Sequence, residues 1–164
     1  MQRERDRERD NYESEYAHQR SLRERAFSGK VLVREDDRRW QQSRQGLLKY
    51  YLSRAALQDT ALKDWIVFIH EIHSHSGKHT HQGGLVIYVL DGEGYSVVDG
   101  ERHDWERGDL LLLPIKPGGA EHQHFNRTAD RAARWLAMIY KPLHDEVASS
   151  MEQREESPDH VGRR

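Results

Sequence analysis

Cysteine is absent from this chain of 164 residues. Its absence excludes disulfides, thiolate nucleophiles, cysteine-type zinc sites and iron–sulfur clusters, because each of these needs a cysteine sulfur. A charge excess of either sign is also lacking, since 26 Lys and Arg residues stand against 28 Asp and Glu residues. A balanced chain has no electrostatic reason to bind nucleic acid or an anionic membrane. We therefore expect neither as a partner.

Long hydrophobic runs are missing as well. The first twenty residues contain no apolar stretch, which argues against a secretory signal peptide. LVIYVL, over residues 85–90, is one of the longest apolar stretches and is far too short to cross a bilayer. From these absences we expect a cytoplasmic protein, and the length fits one domain with one core.

Histidine, by contrast, is abundant and unevenly placed. Eight of the 11 histidines fall between residues 70 and 124. Two clusters stand out within that stretch: HTH at 79–81, and EHQHFN at 121–126. The concentration places the chemistry in the middle of the chain.

The residues around these clusters have the pattern of short β-strands separated by turns. Strand candidates are rich in β-branched and aromatic residues, and Asp-Gly, Arg-Gly-Asp and Pro-Gly-Gly segments separate them. The expected strands are 31–33, 65–72, 85–90, 95–98, 102–105, 110–114 and 133–140. Residues 36–64 fit a helix or a strand equally well. The spacing is typical of an antiparallel sandwich or a small barrel.

The pattern divides the chain into three parts. Residues 1–27 are highly charged and form an N-terminal extension, in part helical, with few apolar anchors. Residues 28–143 form the β domain, whose motifs lie within 65–140. Residues 144–164 are polar and are expected to be a tail.

The first histidine cluster suits a metal site. Residues i and i+2 of a strand face the same side, so His79 and His81 would project together into a barrel. Two imidazoles can bind iron, zinc, copper, nickel or manganese. A third ligand would come from His122 or His124, which form a second i, i+2 pair.

Both clusters resemble the two motifs of the cupin superfamily. His79, His81 and Gly92 match the first motif. The second motif is matched by Gly108, Pro114, Gly119, His122 and Asn126, with a longer interval between Pro114 and Gly119. The resemblance implies a single all-β cupin barrel, that is, a double-stranded β-helix or jelly roll. It also implies a metal held by His79, His81 and His122, and a structural role for the glycines, Pro114 and Asn126.

One position departs from the cupin pattern. The glutamate of the first motif should fall at Leu85 or Val86, and neither side chain can bind a metal. Three-histidine cupins without this glutamate include gentisate 1,2-dioxygenase and its relatives, in which two cupins are typically fused. The resemblance therefore implies a non-haem Fe(II) dioxygenase that cleaves a small aromatic or enolic substrate, such as a hydroxy-carboxylate or a diketone, with dioxygen. Mn(II), Zn(II) and Ni(II) are the alternative metals.

Further residues are candidates for the site. His124 is a candidate catalytic residue, as an acid–base group or a support for the metal ligands, and Gln82 is a candidate for holding a ligand imidazole or water. Leu85 and Phe125, with Val86 and Ile87, would line a dry pocket. Arg102 is a candidate for binding a substrate carboxylate, as are Lys116 and Arg127, and the sequence does not choose among them. Of His70 and Glu71, one faces the barrel interior.

Two other functions fit the same residues. One is a metal-dependent cupin enzyme that is not an oxygenase, such as an isomerase, lyase or decarboxylase. The other is a non-catalytic cupin that binds a metabolite. A homodimer is also expected, because small barrels often cover their edge strands with a second subunit.

Overall fold

A computed structural model of the protein describes residues 11–160. The expected charged arm at residues 1–10 lies outside this range. Within it are two α-helices and eleven strands, with a short 3₁₀ turn at Glu35–Asp37. They are α1 (Asn11–Ser28), β1 (Trp40–Ser43), β2 (Gly46–Leu52), β3 (Trp65–Ile72), β4 (Lys78–His81), β5 (Leu85–Asp91), β6 (Glu93–Val98), β7 (Glu101–Glu106), β8 (Leu110–Leu113), β9 (Ala120–Asn126), β10 (Ala133–Tyr140), α2 (Lys141–Glu146) and β11 (Glu152–Glu155).

The strands form two antiparallel sheets. One sheet has six strands in the order β1-β2-β3-β10-β5-β8, and the other has five in the order β11-β4-β9-β6-β7. Non-consecutive strands are neighbours in both sheets, as in a jelly roll, where long connections cross from sheet to sheet. The expected all-β barrel is confirmed, and the ambiguous stretch 36–64 contributes strands β1 and β2 rather than a helix.

Alternation along the strands builds the core between the sheets. In β10 the side chains of Ala133, Trp135, Ala137 and Ile139 are buried, and those between them are more exposed. Other strands of both sheets add buried side chains to the same core, namely Ile72, Leu85, Ile87, Val98, Leu113 and Ala120. Burying one such aliphatic side chain contributes about 1.5–3 kcal/mol. This apolar packing holds the strands that carry the histidines.

The N-terminal helix α1 has no buried residue. It is attached to the barrel mainly through Arg25, whose Nε donates to the carbonyl of Thr60 at 2.6 Å and whose Nη2 donates to that of Leu62 at 3.2 Å. The expected helical part of the extension is confirmed. The strand expected at 31–33 is wrong. These residues belong to no strand, and only the preceding Lys30 forms an isolated bridge, with Thr60.

The segment after residue 143 is not the polar tail that the sequence suggested. Strand β11 pairs with β4, with Gln153 opposite His79. Before it, the hydroxyl of Ser149 accepts a hydrogen bond from the backbone N–H of Gln82 at 3.0 Å. Polar composition was misleading here, because an edge strand needs backbone partners more than apolar side chains. The segment covers the free edge of the strand that carries the first histidine cluster.

A chain ending at Val147 is expected to unfold at a temperature several degrees lower and to bind metal more weakly than the full chain. Truncation removes β11 and leaves the N–H and C=O groups of β4 without strand partners on one side. Thermal unfolding and metal titration measure both effects. Removal of residues 161–164 alone is the control. Unchanged stability and metal affinity in the longer truncation would contradict a supporting role for β11.

Candidate metal centre and cavity

Three histidines converge on one point inside the barrel. His79 and His81 lie on β4, and His122 lies directly opposite His79 on the neighbouring strand β9. The ring centroids are 4.2 Å apart for His79 and His122, 4.7 Å for His81 and His122, and 5.1 Å for His79 and His81. One nitrogen from each ring lies within 4.8 Å of the other two. The antiparallel pairing thus brings together the residues that the sequence assigned to one site.

Hydrogen bonds to backbone carbonyls orient all three rings. Nδ1 of His81 lies 2.6 Å from the carbonyl oxygen of Gln82, and Nδ1 of His122 lies 3.0 Å from that of Ala120. Nδ1 of His79 lies 3.4 Å from the carbonyl oxygen of Gly77. A carbonyl only accepts, so each Nδ1 carries the proton and each Nε2 keeps its lone pair. Three neutral imidazoles with free Nε2 lone pairs are a donor set that fits a divalent transition metal.

Burial keeps these imidazoles neutral. Desolvation, followed by the charge of His81, lowers the pKa of His79 to about 4. Desolvation is also the main cause that lowers the pKa of His81 and, well below its usual value, that of His122. A neutral imidazole is the form that binds a metal, so the site is prepared for binding at neutral pH.

His124 differs from the three histidines in which ring nitrogen carries the proton. The indole Nε1–H of Trp105 donates to the hydroxyl of Ser96 at 2.9 Å, and this hydroxyl lies 2.6 Å from Nδ1 of His124. Because an indole N–H only donates, the Ser96 proton goes to Nδ1 of His124. The pKa of His124 is lowered well below its usual value by burial and then by His122. The neutral ring therefore carries its proton on Nε2, which favours His122 over His124 as the third ligand.

A cavity of about 380 Å³ lies beside the histidine cluster. It falls within the usual size range for sites that take small organic molecules. Its walls come from both sheets and from the segment after β10. They comprise Ser43, Arg44, Gln45, Leu48, Tyr50, Ile66, Phe68, His70, His79, His81, Leu85, His122, His124, Trp135, Ile139, Lys141, His144, Ser149, Ser150, Met151 and Gln153. Within residues 11–160, no carboxylate side chain lines this cavity.

Two polar atoms in the cavity wall have no hydrogen-bond partner. They are Nε2 of His70 and the indole Nε1 of Trp135, both buried. The two rings lie 4.8 Å apart, and the Trp135 ring lies 5.0 Å from that of His124. Desolvation and then His79 lower the pKa of His70 to about 3. Nε2 of His70 packs against Gly46, where a Cβ would lie 2.8 Å from it. A buried polar group without a partner is costly, so the indole N–H of Trp135 is the natural contact for a polar group of a bound molecule.

Strand alternation decides which of the expected pocket residues line the cavity. Leu85 is buried at the start of β5 and lines the cavity. Phe125 follows the inward-facing His124 on β9, so its side chain points to the opposite face and does not line the cavity. It stacks on Tyr95 at a centroid distance of 4.6 Å. Ile87 packs in the core, and Val86 is outside the cavity wall. The expected dry wall is thus corrected to Leu85, Phe68 and Ile139.

Arg102 is also outside the cavity. It is exposed on β7, its guanidinium bonds Asp104 at 2.8 Å, and it lies over the ring of Tyr95. The strand alternates, so Arg102 faces the side opposite the buried Trp105. The expectation that Arg102 binds a substrate is corrected by this placement, and Lys116 and Arg127 likewise do not line the cavity.

Gln82 supports the site without facing the cavity. Its carbonyl orients His81, as described above. Its side-chain oxygen accepts from the backbone N–H groups of Gly83 and Lys116, and its Nε2 donates to the carbonyl of Lys116, all at 2.9 Å. Gln82 therefore fixes the loop beside β4 to the segment that follows Pro114, at the end of β8.

The other motif residues shape turns next to the site. Gly119 has φ of +78°, and a Cβ there would lie 2.6 Å from the carbonyl oxygen of His81. Only glycine allows this approach to the ligand-bearing strand. Gly92 and Gly108 also have positive φ. Asn126 donates through Nδ2 to the carbonyls of His73, Thr128 and Arg131 and closes the loop after β9.

Several lining residues were not identified from the sequence, among them His144, Lys141 and Trp135. His144 lies in α2, and its Nε2 is 3.0 Å from the carbonyl oxygen of Gly83. Lys141 begins the same helix. Both stand at or near the expected tail, where composition gave no signal. Trp135 lies within the predicted strand 133–140, where it reads as an ordinary core residue. The sequence left open whether His70 or Glu71 faces the barrel interior. The structure shows that it is His70, which lies opposite Trp135 and lines the cavity.

Comparison with known proteins agrees with this geometry. Residues 67–139 match the family Cupin_2, a cupin domain. The chain contains a cupin domain. The match ends one residue before the end of β10 and includes both histidine clusters, so the cupin motifs and the observed three-histidine cluster coincide. In the described residues, no helix is long and apolar enough to cross a membrane.

Curated relatives of the cupin domain include two gentisate 1,2-dioxygenases. The one from Ralstonia sp is 36% identical over 66 residues, and the one from Streptomyces sp is 41% identical over 66 residues. Each alignment covers 40% of this chain but only 18% and 17% of the relatives. The chain thus matches less than a fifth of the length of these enzymes.

Solved structures show the same cupin fold. Salicylate 1,2-dioxygenase from Pseudoaminobacter salicylatoxidans, with gentisate, has a TM-score of 0.53 at 13% identity, covering 85% of this chain and 36% of that one. Pac13, a nucleoside dehydratase, has a TM-score of 0.57 at 10% identity, covering 79% and 95%. A Cupin 2 conserved barrel domain protein from Salinispora arenicola has a TM-score of 0.52 at 16% identity, covering 73% and 95%.

Proposed function

We propose that this cupin is a non-haem Fe(II) dioxygenase that cleaves a small aromatic or enolic substrate, a hydroxy-carboxylate or a diketone-like compound. The observation that carries the proposal is the set of three neutral imidazoles, His79, His81 and His122, beside a cavity with Leu85 where cupins commonly have a glutamate. Three protein ligands leave positions for substrate and dioxygen. The partial identity to gentisate 1,2-dioxygenases supports the same chemistry.

Iron held by the three Nε2 atoms would supply the one-electron chemistry that dioxygen requires. The remaining side chains of the cavity do work that needs no metal. Nε2–H of His124 and the indole N–H of Trp135 can each donate to a substrate oxygen. Leu85, Phe68 and Ile139 exclude water from the reacting atoms.

The site's charge favours an anionic substrate. The ligand histidines are neutral and no described carboxylate lines the cavity, so a divalent cation would keep its full charge there. A cupin with a glutamate ligand would be one unit less positive. An ortho-hydroxy carboxylate or an enolate compensates such a charge, whereas a neutral substrate does not.

Oxygen uptake tests the proposal directly. Protein loaded anaerobically with Fe(II) is expected to consume dioxygen with at least one of gentisate, salicylate, hydroxynaphthoate and a β-diketone, at a rate well above that of free Fe(II). The His103→Ala variant, whose replaced ring is exposed on β7, should keep the rate. Absence of uptake with every substrate in a fully loaded protein would contradict the proposal.

The second candidate is a metal-dependent cupin enzyme that does not use dioxygen, such as a lyase, isomerase or decarboxylase. The observation that favours it is the similarity of this barrel to Pac13, a nucleoside dehydratase. This chain covers 95% of the dehydratase Pac13, and only 36% of salicylate 1,2-dioxygenase. Turnover that needs Mn(II), Zn(II) or Ni(II) and proceeds without oxygen would establish it. The third candidate, a non-catalytic metabolite-binding cupin, predicts binding without turnover.

The proposal also includes a cytoplasmic homodimer. Large apolar side chains are exposed on the outer face of the edge strand β8 and on the strand beside it, with Leu110 60% exposed, Leu112 63% and Tyr88 40%. Exposed apolar groups of this size are typical of contact surfaces. Sedimentation or light scattering measures the oligomeric state.

A further inference from the structure

The charged residues of the cavity wall are all cations. Within the described residues, Lys141 and Arg44 line the cavity, and Asp and Glu do not. Arg44 is exposed, whereas Lys141 is partly buried. A cavity that holds a partly buried cation without an anion in its wall has an unmatched charge. A bound anionic ligand would neutralise this positive charge.

Lys141 is held in place by its backbone. It follows β10 directly, and its N–H donates to the carbonyl of Asp64 at 2.8 Å. Pro142 comes next, at the start of α2, and restricts the chain further. The position of the Lys141 Cα is therefore fixed relative to the strand that carries Trp135 and Ile139.

The Lys141 ammonium has no ion pair or hydrogen bond with another residue in 11–160. Two acids near it are paired with other cations. Asp145, one helical turn away, bonds Arg54. The carboxylate of Asp64, whose carbonyl accepts from the Lys141 N–H, lies 3.7 Å from Lys63. No acid among the described residues forms an ion pair with Lys141.

Lys141 lines the same cavity as the three ligand histidines and His144. Burial, followed by the charge of Arg54, lowers the pKa of Lys141. An anion bound beside the ammonium would favour its charged form, because opposite charges attract.

We propose that Lys141 binds the carboxylate of the substrate and so selects hydroxy-carboxylates over diketones. This rests on the proposed function, because it names the substrate class for the same cavity. A carboxylate paired with a partly desolvated ammonium makes charge-assisted hydrogen bonds, which are stronger than neutral ones. Loss of the ammonium should therefore weaken carboxylate binding about tenfold to a hundredfold.

The experiment compares an acid with its amide. Calorimetry measures the affinity of the Zn(II)-loaded protein, which cannot turn over, for salicylate, gentisate, 1-hydroxy-2-naphthoate and salicylamide. The wild type is expected to bind at least one of the acids, and salicylate more tightly than salicylamide. The Lys141→Met variant should bind the acids about tenfold or more weakly than the wild type does, and should bind the amide with unchanged affinity. Lys141→Arg should recover most of the loss.

Arg102→Met is the matched control, since it removes one positive charge from an exposed position outside the cavity and should bind like the wild type. The inference is overturned if Lys141→Met keeps the wild-type affinity, if it loses acid and amide equally, or if the wild type binds none of the acids. Circular dichroism verifies that each variant is folded.

The outcome is separable from that of the dioxygenase proposal. Carboxylate binding that depends on Lys141, without oxygen uptake, would overturn only the dioxygenase. Oxygen uptake with an unaffected Lys141→Met variant would overturn only the role of Lys141.

Discussion

The His122→Ala variant is expected to lose at least about 100-fold in affinity for divalent metal. Removal of a group that merely orients a ligand already costs 10- to 100-fold in metal sites, so loss of a ligand should reach or exceed the upper value. His79 and His81 remain, but both lie on β4, and β9 supplies the only other ligand of the cluster among the described residues. Metal titration of the purified variant measures the effect.

His103→Ala is the matched control, because it removes an exposed imidazole and should leave metal affinity unchanged. A His122→Ala variant that keeps wild-type affinity would show that the cluster is not the metal site. The same variant separates two functions. An enzyme should lose turnover with the metal, whereas a non-catalytic binding protein should keep most of its affinity for its metabolite.

The metal-free protein is expected to lose stability as the pH falls from 6.5 towards 4. His79 has a folded pKa of about 4 and His70 of about 3, against an ordinary value of 6.5. Below pH 6.5 these two histidines bind protons in the unfolded chain but not in the folded chain. Stability therefore rises with pH in this range and is lost on acidification. Each of these two histidines accounts for a loss on the order of 3 kcal/mol, against a typical total of about 5–15 kcal/mol.

Denaturant unfolding at a series of pH values checks this. The carboxylates with lowered pKa values, such as Asp59 and Asp99, have ordinary values of 3.8 and lose their contribution at lower pH. The pH range in which the histidines reduce stability therefore lies above the range in which these carboxylates do. Zn(II) should move the loss to lower pH, because bound metal competes with protons for the imidazoles. His70→Phe should make the loss smaller, and a flat stability between pH 7 and 4.5 would contradict the buried neutral histidines.

Much of the barrel could be predicted from the sequence. β-branched residues and glycine turns indicate six of the eleven strands, because strand formation here depends on local alternation. The segments β1, β2, β4, β9 and β11 are the less evident ones. β4 is a four-residue strand of polar residues, predicted only through its histidines, and β11 is polar throughout. Such strands are fixed by backbone pairing with neighbours distant in sequence.

The metal cluster is the part of the site that the sequence predicts best. The spacing of His79 and His81 requires only the two-residue period of a strand, and the cupin motifs indicate His122. His124 could be distinguished from His122 only in three dimensions, where the bonds from Trp105 through Ser96 fix its tautomer. Likewise Phe125 and Arg102 have side chains suited to a pocket but lie on outward faces.

The sequence by itself determined the all-β cupin fold, the pair of histidines on one strand face and the missing glutamate at Leu85, since each follows from local periodicity or from a motif. Only the tertiary structure decided which groups share the cavity with them. Lys141, His144 and β11 reach the site because the chain after β10 folds back across the edge of β4. That return depends on hydrogen bonds between segments more than sixty residues apart, and no local pattern encodes such pairs.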